Sequence, residues 1–134
     1  MSSLSRPLRG AVIGYGFILS KGHVPVYRDR MNNGGNVEIV AAADICEARR
    51  SQIPVQLPEA RISTDEEILL ERESADLDFV DMATPPAYHS EIASRALENG
   101  LHVLCEKPLT TTLEDAHALV HKAHQAKRVL FPCH

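Results

Sequence analysis

At 134 residues the chain is long enough for one compact domain with a real core and too short for two comfortable ones. A composition that is 44% hydrophobic and 24% charged is that of an ordinary globular protein, which excludes disordered and fibrous classes. The formal net charge of -4, with lysines and arginines scattered along the chain, excludes the basic surface that phosphate-backbone binding needs, so nucleic acid is not an expected partner.

Cys46, Cys105 and Cys133 are odd in number and lack CxxC spacing, which reads as reduced and mostly buried thiols. The opening MSSLSRPLRG has no apolar core of the signal-peptide kind, and no run approaches the roughly 18 apolar residues of a membrane span. The expectation is a cytoplasmic protein without a membrane partner.

In chain order, Leu8 to Gly14 (LRGAVIG) is apolar and breaks at glycine, a buried first strand. Ser20 through Met31 has an imperfect helical pattern, interrupted by Pro25 and ended by NNGG at Asn32 to Gly35. Val37 to Ala43 (VEIVAAA) is a second strand closed by Asp44, and Ile45 to Gln52 is a short second helix. The segment with Pro54 and Pro58 reads as a loop leading into a brief third strand, ARIS. Thr64 opens TDEEILLERE, an acidic helix start. Asp78 to Ala83 (DFVDMA) is a fourth strand, followed by TPP and a helix over Ser90 to Asn99 that stops at Gly100. His102 to Cys105 is the fifth strand, Thr111 to Glu114 forms a capping box for a helix reaching Ala126, and Val129 to Phe131 begins a sixth strand. Apolar strands alternating with helices predict an α/β fold, a doubly wound parallel sheet of the Rossmann type.

Ligands of such sheets bind at the carboxyl ends of the strands. Gly14-Tyr15-Gly16-Phe17-Ile18 follows the first strand, where Gly14 would allow a tight turn and Gly16 the close approach of a pyrophosphate. Leu19 stands where a third small residue is usual, so the motif also fits an ordinary tight turn. Asp44 ends the second strand, where a carboxylate can accept from ribose hydroxyls, disfavour a 2′-phosphate and so prefer NAD to NADP; it can equally cap the helix that follows. Arg49 and Arg50 lie close enough to admit NADP.

Thr84-Pro85-Pro86 fixes the chain as it leaves the fourth strand, and His89 falls near a helix N-terminus, where the dipole favours a neutral ring. That ring would either touch the cofactor or bond nearby backbone. Glu106 and Lys107 end the fifth strand, where the ammonium could serve proton transfer or simply pair with its neighbour at the surface. His117, His121 and His124 share a helix edge at spacings that can ligate metal, but a solvated edge is the better reading and no metal is assigned. Cys105, inside an apolar strand, reads as an inert thiol.

Taken together, VIGYGFI with His23 and Pro25 downstream, AAAD, and ATPPAYHSEIASRALENGLHVLCEKPL resemble the Gfo/Idh/MocA family. These are NAD(P)-dependent oxidoreductases of the glucose-fructose oxidoreductase and inositol dehydrogenase type. The resemblance implies a pyrophosphate loop of Gly14, Gly16, Phe17 and Ile18, and Asp44 on the adenosine ribose. It implies Thr84, Pro85 and His89 along the cofactor cleft, and Glu106 and Lys107 beside the nicotinamide. Lys107 would be catalytic, contacting substrate and assisting hydride transfer, with a cis bond to Pro108.

Two positions depart from the pattern: Leu19 replaces a small residue and Pro86 stands where Asn is usual. Family members continue into a second α/β domain carrying substrate contacts, a subunit interface and a further acid/base histidine, whereas this sequence ends at His134. The expectation is therefore a dinucleotide-binding domain over residues 1–134, truncated from an enzyme oxidising a secondary alcohol of a sugar or cyclitol. It should bind NAD, or NADP, with little turnover, and its exposed faces would allow self-association into a homo-oligomer. The alternative is a non-catalytic stand-alone module for a nucleotide or a protein partner.

Overall fold

The computed structural model describes residues 6–133. Four apolar runs form central strands with both faces covered: β1 (Leu8–Ile13), β2 (Val37–Ala43), β4 (Phe79–Met82) and β5 (His102–Glu106). With β3 (Arg61–Ser63) and β6 (Leu130–Cys133) they make one sheet in the order β3-β2-β1-β4-β5-β6, and every pairing is parallel. The order reverses between β1 and β4, which opens a crevice at their carboxyl ends.

The two faces bury separate clusters. Ala11, Ile13, Val80, Met82 and Val103 meet Leu97 of α5 (His89–Glu98) and Leu119 of α6 (Leu113–Ala126) on one side. Val12, Ala42 and Phe79 meet Leu19, Val24 and Ile53 on the other. The sheet register slips once: Gly10 lies opposite Ile39 but Ala11 opposite Ala41, leaving Val40 as a surplus residue. A strand alternates faces with period two, so the slip explains why Ile39 and Ala42, an odd step apart, share one cluster.

The first helix departs from expectation. A π-helical turn, Ile18–His23, precedes α1 (Val24–Asn32), so helical structure begins two residues before Ser20 and Pro25 does not interrupt it. In the wide turn the Val24 N–H reaches back to the Leu19 carbonyl, and Pro25 sits in the first turn of α1, where a missing N–H costs little. Leu19, too large for the usual fingerprint, is fully buried among Val12, Val24 and Ile53 beneath that turn.

Other ends shift by a residue or so. The expected second helix is two short ones, α2 (Glu47–Arg50) and α3 (Ile53–Gln56), with Pro54 in the first turn of α3. The cap of α4 (Glu66–Glu73) is Asp65 rather than Thr64, and that of α6 is Thr112 rather than Thr111. In each pair the second residue is the one whose side-chain oxygen accepts the N–H three positions on, from Ile68 at 2.9 Å and Asp115 at 3.0 Å. Gly100 closes α5 at φ +79° as expected.

Lys127 closes α6 in the same left-handed region, φ 56°, with its N–H on His124 and that of Arg128 on Ala123. A Cβ is unfavourable there. Lys127→Gly should raise stability by about 0.5–1 kcal/mol, read as a higher urea midpoint at unchanged m-value; a lower midpoint would contradict the assignment.

Candidate functional site

β1 runs straight into Gly14, whose φ of +88° suits glycine alone; a Cβ there would lie 2.9 Å from the Ala83 carbonyl oxygen and 3.0 Å from Thr84 Cγ2. The next amide, Tyr15 N–H, donates to Asp44 Oδ2 at 2.6 Å, and Cys46 N–H donates to Asp44 Oδ1 at 2.7 Å. Asp44 is 5% exposed, so these are strong charge-assisted bonds in a dry place. Asp44 is not the helix cap: the α2 cap position is Cys46, and the carboxylate instead ties the glycine turn to the β2 end. Each oxygen keeps one further acceptor position, which leaves room for a hydroxyl donor.

Around this tie lies a cavity of about 470 Å³, lined by Gly14, Asp44, Arg49, Thr84, Pro85 and Arg95 among others. Arg49 reaches within 4.0 Å of Asp44, and Arg50 donates to the Asp44 carbonyl at 2.8 Å. Beyond Gly16 the backbone is open, with the Arg49 guanidinium 3.9 Å from where a Cβ would sit, while Phe17 and Ile18 are exposed. Thr84 Oγ1 is buried without a hydrogen-bond partner among the described residues. An unspent polar atom, a turn that excludes side chains and a carboxylate with free acceptor positions together fit a dinucleotide.

His89 takes the backbone role. It is fully buried as the first residue of α5, with Nδ1 2.7 Å from the Pro108 carbonyl and Nε2 2.8 Å from that of Thr84. Both partners accept, and a ring with one N–H satisfies one of them. The side chain therefore braces the segment after β4 against the segment after β5 rather than lining the cleft.

Glu106 and Lys107 separate. Lys107 is exposed, joined to Pro108 by a cis bond, whereas Glu106 turns inward. Its Oε2 lies 3.1 Å from His23 Nε2, and His23 Nδ1 lies 2.7 Å from Asp81 Oδ2 on β4. Tyr27 donates to the same Asp81 oxygen at 2.8 Å, and Asp81 is 1% exposed with Oδ1 unpartnered among the described residues. Sequence reasoning placed His23 only in a motif and missed Asp81 and Tyr27; the available signal was an aspartate inside the apolar run DFVDMA.

The hydrogen bond to Asp81 raises the His23 pKa above its ordinary value, with the Asp81 and Glu106 charges adding to it against the cost of burial. Burial pushes the neighbouring Cys105 thiol up to about 12 and the Cys133 thiol up to about 11, so Cys105 is the inert thiol expected. Because the folded His23 pKa lies above the unfolded one, its contribution to stability is fully present below about pH 6.5 and is lost as pH rises through the folded value. The urea midpoint should fall between pH 6 and pH 9, and His23→Gln should flatten that fall; an equal fall in both proteins would remove His23 as its source.

Gly14, Asp44, Thr84 and Pro85 thus share one cleft, with Phe17, Ile18 and Gly16 at its glycine loop and Lys107 exposed at the β5 end. His117, His121 and His124 line an exposed face of α6 with Val120. No helix among the described residues is long and apolar enough to cross a membrane.

Known proteins are similar to this chain in sequence and in fold. The chain is 33% identical over 129 residues to a D-glucoside 3-dehydrogenase of Escherichia coli, covering 94% of this chain and 34% of that protein. It is 36% identical over 117 residues to an inositol 2-dehydrogenase of Rhodococcus erythropolis, covering 87% of this chain and 32% of the other. The chain thus spans about a third of the length of these relatives. The WlbA dehydrogenase of Bordetella pertussis, solved with NADH and UDP-GlcNAcA, superposes with a TM-score of 0.84 at 26% identity, over 96% of this chain and 36% of that one. A 3-ketoreductase of Actinomadura kijaniata, solved with NADP and TDP-benzene, gives 0.84 at 30% identity, over 95% and 37%. Residues 8–134 match the family described as "Oxidoreductase family, NAD-binding Rossmann fold", GFO_IDH_MocA, and the chain belongs to it.

Proposed function

We propose that this chain binds NAD along the carboxyl ends of β1, β2 and β4 as the cofactor domain of an oxidoreductase acting on a secondary alcohol of a sugar or cyclitol. The tie between Gly14-Tyr15 and Asp44 carries the reading: it holds the Gly14 turn and a carboxylate on one cavity wall. Gly14, Gly16, Phe17 and Ile18 would receive the pyrophosphate, Asp44 the adenosine ribose, and Thr84 and Pro85 the cleft side of the cofactor. Asp44 favours NAD; Arg49, 4.0 Å away, gives NADP a counter-charge should its 2′-phosphate enter. The relatives solved with NADH and with NADP support both options.

Bound there, the nicotinamide would supply the hydride acceptor or donor. Lys107 would act at the substrate oxygen, giving it a proton as hydride reaches the carbon in the reductive direction and drawing on its proton in the oxidative one. The named substrates of the relatives, a glucoside and inositol, support a polyhydroxylated ring as the substrate class. Calorimetry tests the cofactor part. NAD should bind more tightly than NADP, and Asp44→Ser should narrow the gap. Absence of binding by either at millimolar concentration overturns the proposal.

A further inference from the structure

The polar cluster beneath Lys107 is not used by the pyrophosphate loop or by the ribose site. His23 is bracketed by Asp81 of β4 at 2.7 Å and Glu106 of β5 at 3.1 Å. Tyr27 of α1 donates to Asp81, and Cys133 of β6 and Cys105 of β5 complete the titratable groups facing it. The thiols, at about 11 and about 12, stay neutral below pH 9, and burial with the Asp81 charge raises Tyr27 as well. The charges that remain are two carboxylates, the His23 ring and the Lys107 ammonium. With His23 protonated they cancel. With His23 neutral the group carries one net negative charge.

We propose that His23 sets the preference of this site between the oxidised and the reduced nicotinamide. The inference rests on the proposed cofactor reading together with the resemblance that implies a nicotinamide beside Glu106 and Lys107. The oxidised ring carries a positive charge and the reduced ring none, while the rest of the cofactor is identical. A site that becomes more negative as His23 loses its proton therefore gains affinity for the oxidised form relative to the reduced one. Asp81 and Glu106 delay that loss by holding the imidazolium, so the change falls above the ordinary histidine range. His23 does not touch the reacting atoms in this scheme; it acts through Glu106 and the local field.

The test is calorimetry on the 134-residue chain with NAD+, NADH and ADP-ribose at pH 6 and pH 9. The ratio of the NADH Kd to the NAD+ Kd should rise about three- to tenfold between the two pH values, the effect of one unit charge felt across a partly solvated edge. ADP-ribose, which lacks the nicotinamide, should change less than twofold. His23→Gln should leave the ratio independent of pH. Glu106→Gln, which deletes one carboxylate, should lower the ratio at both values and keeps the idea testable if the His23 variant does not fold. A constant ratio in the unmodified chain, with both cofactors bound, overturns this inference alone. Failure of all three ligands to bind overturns it together with the cofactor reading.

Discussion

Asp44→Ala should lower the stability of the domain by about 3 kcal/mol, a fall in Tm of about 10 °C for a chain of this size. The buried carboxylate accepts Tyr15 N–H at 2.6 Å and Cys46 N–H at 2.7 Å, and alanine leaves the Tyr15 amide without a partner under a nearly closed surface. Bonds to a charged acceptor are worth about 1.5–3 kcal/mol each, and the orphaned donor adds its own cost. Asn would not rescue the loss, because its one carbonyl can satisfy one amide while its NH2 confronts the other. NAD affinity should fall with stability, since the glycine turn loses its anchor. A thermal melt within about 2 °C of the unmodified chain would remove Asp44 as a structural tie.

Gly14→Ala carries the second large effect. At φ +88° a Cβ is strained, and it would also press on the Ala83 carbonyl oxygen at 2.9 Å, which the backbone fixes, and on the Thr84 Cγ2 methyl at 3.0 Å. The expected result is about 2 kcal/mol or more of destabilisation and a loss of NAD affinity greater than tenfold. Gly34→Ala separates the two causes: its φ is +72° but a Cβ there meets nothing within 4 Å. That variant should show a strain cost of about 1 kcal/mol with cofactor binding intact. Equal loss of binding in both variants would mean that general destabilisation, rather than the shape of the turn, governs affinity.

The strands were legible because parallel central strands are covered on both faces and so read as near-continuous apolar runs, as VEIVAAA does up to Asp44 with Glu38 as its one polar residue. Glycine 100, the αL stop of α5, was equally plain. What the sequence did not disclose depends on partners far along the chain. Whether Thr111 or Thr112 caps α6 turns on which oxygen meets the Asp115 amide, a matter of a single rotation between like residues. The π-helical turn answers to Leu19 seeking the core and Pro25 lacking a donor at once, and local propensity weighs them separately. His23 stands 58 residues from Asp81 and 83 from Glu106, so only the β1-β4-β5 adjacency unites them. His89 was open between two roles because burial, which decided it, is a tertiary property.

The surplus residue in β2 also bears on how far the chain tolerates changes in length. Val40 is the residue left over between Ile39 and Ala41, so deleting it would leave Ala41 to Ala43 paired with Ala11 to Ile13 and Asp44 beside the Tyr15 amide, whereas losing a second residue from the strand would shift that pairing and draw the carboxylate away. The Asn32 to Gly35 segment, only a few residues earlier, has no such phase to keep: a residue gained there lengthens a surface turn and leaves the strand in register. Both segments thus absorb the change of a single residue, the turn by lengthening and the strand by giving up its surplus, and the binding wall is lost only when the strand loses a second one.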